Sequence, residues 1–447
     1  MRRILLALAL LGCGTDEAPA PTPTLFDRPQ ALVFVGDALV VANTGYGADG
    51  WRPGALTVID ATTGALQNRI PTTGLNPQRL VVQGDRLYAV CTGALDFTDF
   101  DHPRAASPGG IDVVPLRALA DAAGPGDHLA LPLDPAAPID LAFHGDRALV
   151  TSGLTDAVWP FETDPLAWKG DPAAPTRLGP APRLALGAVA AWREGFAVVD
   201  FNTDRLYLLD AEGAPTGCAV EVGEVPGEVE GAQAPVVDGD DLYVLLVHAG
   251  RVRHVNLADL ADDCAAPVDT VVDGLGLVPN DLHVRGDRLY VVHSGDNNVI
   301  AYDRDRGTEV ARYVLQSGSN PWHAAFDAAG RRMAVTAWAT HAVHVFDVQS
   351  TEPLAVFGAT QTPAPAPARP LSRRGAAAFA DTVIDAPGAH EGPFGDPARA
   401  ANGARGAGDH AGGLDVYRLG LTGDEATLTL RWSDRRVVDG PGADLVG

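Results

Sequence analysis

Lysine is all but missing from this chain: Lys169 is the only one in 447 residues, and arginine supplies the remaining positive charge. With 33 basic against 57 acidic side chains, the formal net charge is -24. That shortage of positive charge argues against a nucleic-acid partner and against electrostatic docking on anionic lipid. The excess of acid favours solubility and cations but names no ligand. Cysteine is confined to Cys13, Cys91, Cys218 and Cys264, with no spacing that would make a zinc set. There is no P-loop, dinucleotide fingerprint or serine nucleophile elbow. The apolar run from Ile4 to Leu11 is too short to cross a bilayer.

What the chain does have is 50 glycines, 35 prolines and a hydrophobic content of 46%. This suits a packed fold of many short strands and turns. A phrase of two alternating apolar segments around a Gly-Asp turn recurs along it. It is clearest from Pro279 through Gly286-Asp287 to Val292, and returns at Pro77–Tyr88, Pro138–Arg147 and Pro29–Asp37. Weaker copies centre on Gly195, Gly239 and Gly330, so the turns step by 44 to 61 residues. A strand-rich repeat with a period in the forties predicts a β-propeller, and seven turns predict seven blades. The spacing places the strands of blade six at 280–284, 288–293, 298–303 and 308–315, and those of blade seven at 323–327, 332–337, 342–347 and 353–357. The expected class is therefore all-β: a seven-bladed β-propeller over 25–358 with a short β-rich C-terminal appendage.

The N-terminus reads as a secretory signal, with Arg2 and Arg3 ahead of the apolar run. Leu10-Leu11-Gly12-Cys13 resembles the lipobox of bacterial lipoproteins. The resemblance implies lipidation of Cys13 and a membrane anchor, against the alternative of an ordinary signal with an incidental cysteine. Residues 14–24 are a polar, proline-rich tether. Asn297–Asp303, His341–Asp347 and Gly54–Asp60 resemble the third-strand signature of YVTN-type bacterial propellers, and Asn76-Pro77 and Asn320-Pro321 their blade openings. That family consists mostly of surface or periplasmic proteins. After a Pro/Ala linker at 359–370, residues 371–447 include Asp439-Gly440-Pro441-Gly442-Ala443-Asp444. This stretch is similar to a motif of β-sandwich-like bacterial surface lipoprotein domains, of which the segment would be a partial copy.

Candidate sites fall on the loops that join second and third strands, and on the residues that open each blade. Tyr46 and Trp51 either offer an aromatic surface to a sugar or peptide or fold back over the blade edge. Asp96, Asp99, Asp101 and His102 either form a solvated acidic loop or hold a hard cation such as calcium. Trp322, His323, Trp338 and His341 in blade seven, with His293 and Asp296 in blade six, converge on one rim. There they bind a metal or carboxylate, or hydrogen-bond the backbone between blades. Pro279-Asn280-Asp281 resembles a motif of gluconolactonase-type propellers, which implies calcium held by Asn280 and Asp281; the early region Phe26-Asp27-Arg28-Pro29 lacks the glutamate those enzymes add. Cys218 and Cys264 could pair outside the inner membrane, and Cys91 reads as a buried small hydrophobe. The reading favoured is a cell-envelope lipoprotein that binds or scaffolds an envelope protein or glycan without catalysis. The opposing reading is a calcium-dependent, lactonase-like hydrolase.

Overall fold

The computed structural model describes residues 25–47, 50–96, 103–134, 137–179 and 185–358, with the backbone of three short strands beyond. Cys13, the tether, the linker and the Asp-Gly-Pro-Gly stretch lie outside the described residues. The described part of the chain to Gly358 forms seven blade sheets in chain order, each with four strands along its main path, and two small two-stranded sheets in the loops of blades one and two. Blade one is Pro29–Val35, Ala38–Asn43, Pro53–Asp60 and Leu66–Leu75. Blade six is Pro279–Arg285, Arg288–His293, Asn298–Asp303 and Glu309–Val314, within one residue of the spacing-based expectation at each end. In blade seven the first strand, Pro321–Phe326, begins two residues earlier than expected. Thr382–Asp385, Thr429–Arg431 and Arg436–Val438 pair as a separate three-stranded sheet.

Two local devices repeat the blade. In blades one to six the turn between first and second strands has two residues, as at Gly84-Asp85, where Gln83 pairs with Arg86, whereas in blade seven Phe326 pairs with Met333 across a longer turn. Gly84 has φ +59 and open space around its missing Cβ, so the need is purely a backbone one, met at the first position of a tight hairpin. The second device explains the aspartate that closes the third-strand signature. Asp60 accepts hydrogen bonds from the Thr62 and Thr63 amides, and Asp303 and Asp347 do the same two and three residues on. Each carboxylate caps the turn into the fourth strand, and those backbone bonds above all hold it below the usual range.

Alternation within strands then builds the ring. Val40 and Ala42 pack with Leu80, Leu87 and Ala89 of blade two. Leu39 and Val41, on the opposite face of the same strand, pack with Ala334, Val343 and Val345 of blade seven. Seven such apolar clusters each join two neighbouring blades. The first strands touch in succession from blade one to blade seven and back to blade one. Blade seven supplies its own four strands, so closure comes from packing and not from strand exchange. Phe26 is fully buried in the closing cluster with Phe357, and a Cβ on Gly358 would meet the Phe26 ring at 2.4 Å.

Cys218, in the last strand of blade four, is disulfide-bonded to Cys264, which caps the helix Leu257–Asp263 of blade five, with Cα atoms 4.9 Å apart. Cys91 is fully buried, and burial pushes its thiol well above the usual range.

Candidate functional site

Two places on this scaffold gather polar and aromatic groups: the rim where blade one meets blade seven, and the axis of the ring. At the rim, the loop after Asn43 forms a small hairpin in which Tyr46 pairs with Trp51. Gly45 makes it possible, since a Cβ there would lie 2.7 Å from the Arg52 carbonyl oxygen. The Tyr46 and Trp51 rings are 4.7 Å apart, and the Trp338 ring from blade seven lies 6.4 Å from Tyr46. The Arg28 guanidinium sits 4.2 Å over Trp338 and 5.8 Å from Tyr46, a cation–π wedge between the two blades. Its Nε donates to the Tyr46 carbonyl at 3.0 Å.

The shelf is braced from beneath. His341 Nδ1 accepts from the Arg28 amide, and Arg52 pairs with Asp27 at 3.0 Å. Burial first, and then the Arg28 charge, lower the His341 pKa. Trp51 Nε1 donates to the Leu95 carbonyl, tying the hairpin to blade two. Trp51 is half-buried and links the Tyr46 ring to blade two. Tyr46 is 40% exposed and Trp322 38%, the two most open of Phe, Tyr and Trp among the described residues.

At the axis, every first strand slips register near its start. Such bulges re-aim side chains. Counting two residues from the start of each first strand gives Ala31, Arg79, Asp140, Ala188, Ala234, Asp281 and His323. Arg79 of blade two reaches past the small Ala31 to His323 of blade seven, Nη1 to Nε2 at 2.7 Å. Its Nε lies 3.0 Å from Asp140 of blade three. His283, one step deeper in blade six, meets Asp281 through Nε2 at 2.7 Å, and His323 Nε2 is 3.7 Å from the same oxygen. The axis is thus filled at its waist by groups from blades two, three, six and seven.

Electrostatics settle the protonation of this layer. An arginine only donates, so His323 Nε2 accepts and the ring is neutral. Burial drives its pKa down to about 3, in agreement. Burial also works against the Asp281 charge, but His283, which hydrogen-bonds it, and the Arg79 charge prevail and hold its carboxyl well below the usual range. For Asp140, burial outweighs the Arg79 charge and raises the carboxyl. Both aspartates also serve as brackets: Asp140 accepts from the Val189 amide of blade four, and Asp281 from the Ala324 amide of blade seven.

The remaining expected residues are dispersed. Asn280 is half-buried and donates to the Pro321 carbonyl. Asp296 accepts from the Leu277 amide, a backbone role. His293 is fully buried and so does not reach the rim surface, because it pairs across to Asn298 inside blade six. Asp96 pairs with Arg104 at 3.1 Å, while Asp99, Asp101 and His102 lie outside the described residues. Sequence reasoning passed over Arg28, Arg79, Asp140 and His283. Arg79 and Asp140 had a signal, since aligning the phrase at Pro77, Pro138, Pro279 and Pro321 puts Arg79, Asp140, Asp281 and His323 in one register.

No known family profile matches the chain, and no curated protein sequence does. Solved structures do match. The β-propeller domain of Myceliophteria thermophila Cps50 (Swd1) is similar with a TM-score of 0.54 at 11% identity, over 72% of this chain and 98% of that one. The computationally designed Ika8 protein matches with a TM-score of 0.47 at 13% identity, over 75% of this chain and 88% of that one. A chain of the mitotic checkpoint complex matches with a TM-score of 0.49 at 12% identity, over 75% and 96%. At such identities only the fold is shared. The chain is a seven-bladed β-propeller.

Proposed function

We propose that this protein is a YVTN-type envelope lipoprotein, anchored through Cys13, whose propeller binds an envelope glycan on its loop face without chemical turnover. The observation that carries the reading is the shelf of Tyr46, Trp51 and Trp338 with Arg28 wedged between two of the rings. Flat aromatic faces take the apolar face of a sugar ring, while rim polar groups fix its orientation. The signal-like N-terminus, the lipobox-like Leu10–Cys13 and the tether supply the anchor and its reach. The hydrolase reading would need several rim carboxylates turned toward one ion, and among the described residues Asp296 instead accepts from the Leu277 amide.

Trp338→Ala should weaken binding to cell-wall glycan fragments at least about tenfold, the usual loss for a central aromatic anchor. Its melting temperature should stay close to the parent's, since Trp338 lies outside the apolar clusters. Calorimetry with purified fragments is the check. A parent that ignores glycans, or a variant that binds as well as the parent, removes the proposal. The anchor is tested separately: Cys13→Ser should move the protein from the detergent phase to the aqueous phase.

A further inference from the structure

We propose that the waist of the channel is a binding site for one divalent transition-metal ion, held by Asp281, His283 and His323. The inference is independent of the glycan reading, because it concerns the axis and not the rim. One ligand atom from each of the three residues can be chosen so that all lie within 4.8 Å of one another. His283 Nε2 and His323 Nε2 stand 2.7 and 3.7 Å from Asp281 Oδ2. Donors about 2 Å from a common ion sit roughly 3 to 4 Å apart, so little movement would bring the three onto one centre. Two imidazoles and a carboxylate suit zinc, cobalt, nickel or iron(II), whereas calcium and magnesium prefer oxygen alone.

The surroundings have the character of a built site. The Asp281 side chain is only 9% exposed, and the Leu282 and Ala324 amides fix its two oxygens. Such outer hydrogen bonds orient a metal-binding carboxylate. His323 Nδ1 is buried with no hydrogen-bond partner. All three ligands stand on first strands, the most constrained part of the ring. The place of the ion is partly taken by a cation of the chain itself, since Arg79 Nη1 donates to His323 Nε2. Asp140 lies beside Arg79 and can receive the whole guanidinium when an ion enters. Arg79 thus acts as an internal counter-ion that the metal displaces.

The experiment is a titration of the full chain in detergent with cobalt(II), followed by visible absorption and calorimetry. One equivalent should bind and produce the intense visible bands of a low-coordinate, nitrogen-ligated ion. His283→Ala and His323→Ala should each weaken binding at least tenfold and abolish those bands, whereas His102→Ala should change neither. A spectrum like that of aqueous cobalt in the parent, or bands that survive loss of both His283 and His323, overturns the assignment. The parent spectrum decides even where a variant fails to fold.

Discussion

Arg79→Met should destabilise the folded protein by about 4 kcal/mol, within the range for breaking a buried ion pair by removing one partner. The side chains of Asp140 and Asp281 are each only 9% exposed, and Arg79 is the cation that faces both. Burial opposes the guanidinium's charge, yet those two carboxylates raise its pKa. Without it, Asp140 keeps two backbone hydrogen bonds but loses its counter-charge. The Arg79 side chain as a whole is 33% exposed, which keeps the expected loss from the top of the range. Asp140→Asn in the Arg79→Met background should recover part of it, because the stranded charge is gone. Urea unfolding at neutral pH is the check. A loss below about 1 kcal/mol would mean that channel water solvates the carboxylates as well as arginine does.

Acidification should cost still more. His293 is fully buried, with neither ring nitrogen in a hydrogen bond, and its pKa is driven down to about 4. Burial is the cause; Asp296 and Asn298 oppose it without prevailing. His344, only 4% exposed on the third strand of blade seven, falls to about 4 through burial alone. In the unfolded chain a histidine titrates near 6.5. Between these values the unfolded state binds more protons than the native state, so stability is complete above about pH 6.5 and falls as pH drops toward 4. The loss is roughly 3 kcal/mol per histidine by pH 4. His344→Phe keeps a flat ring over Phe346, whose centroid is 6.2 Å away. It should remove that histidine's share of the slope between pH 6.5 and 4. Equal slopes in parent and variant would show that His344 protonates as readily in the folded protein as in the open chain.

Much of the architecture was legible in the residues because each blade is specified locally. The turn glycines such as Gly84 and Gly286, the alternation of Leu289 to His293, and the capping aspartates Asp60, Asp303 and Asp347 all act over two to six neighbours. Strand limits in blades six and seven follow from these signals to within two residues. The sites depend on closure of the ring, which no local signal carries. Tyr46 and Trp338 lie far apart in sequence and meet only where blade one packs on blade seven. Arg79 and His323 are 244 residues apart and meet only where the closed ring brings blades two and seven to the axis. His293 looked like a rim residue since it ends a strand beside a loop. Its register opposite Asn298 turns it inward instead, an outcome set by which face of the sheet the neighbouring blade covers.

A double-mutant cycle between Arg79 and His323, run in chelator so that no ion contributes, probes the closed and filled ring most directly. With Arg79→Met and His323→Leu, a coupling free energy of at least about 1 kcal/mol is expected, as for side chains in direct contact. Additive effects would place blades two and seven too far apart to touch across the axis, and would contradict the ring itself.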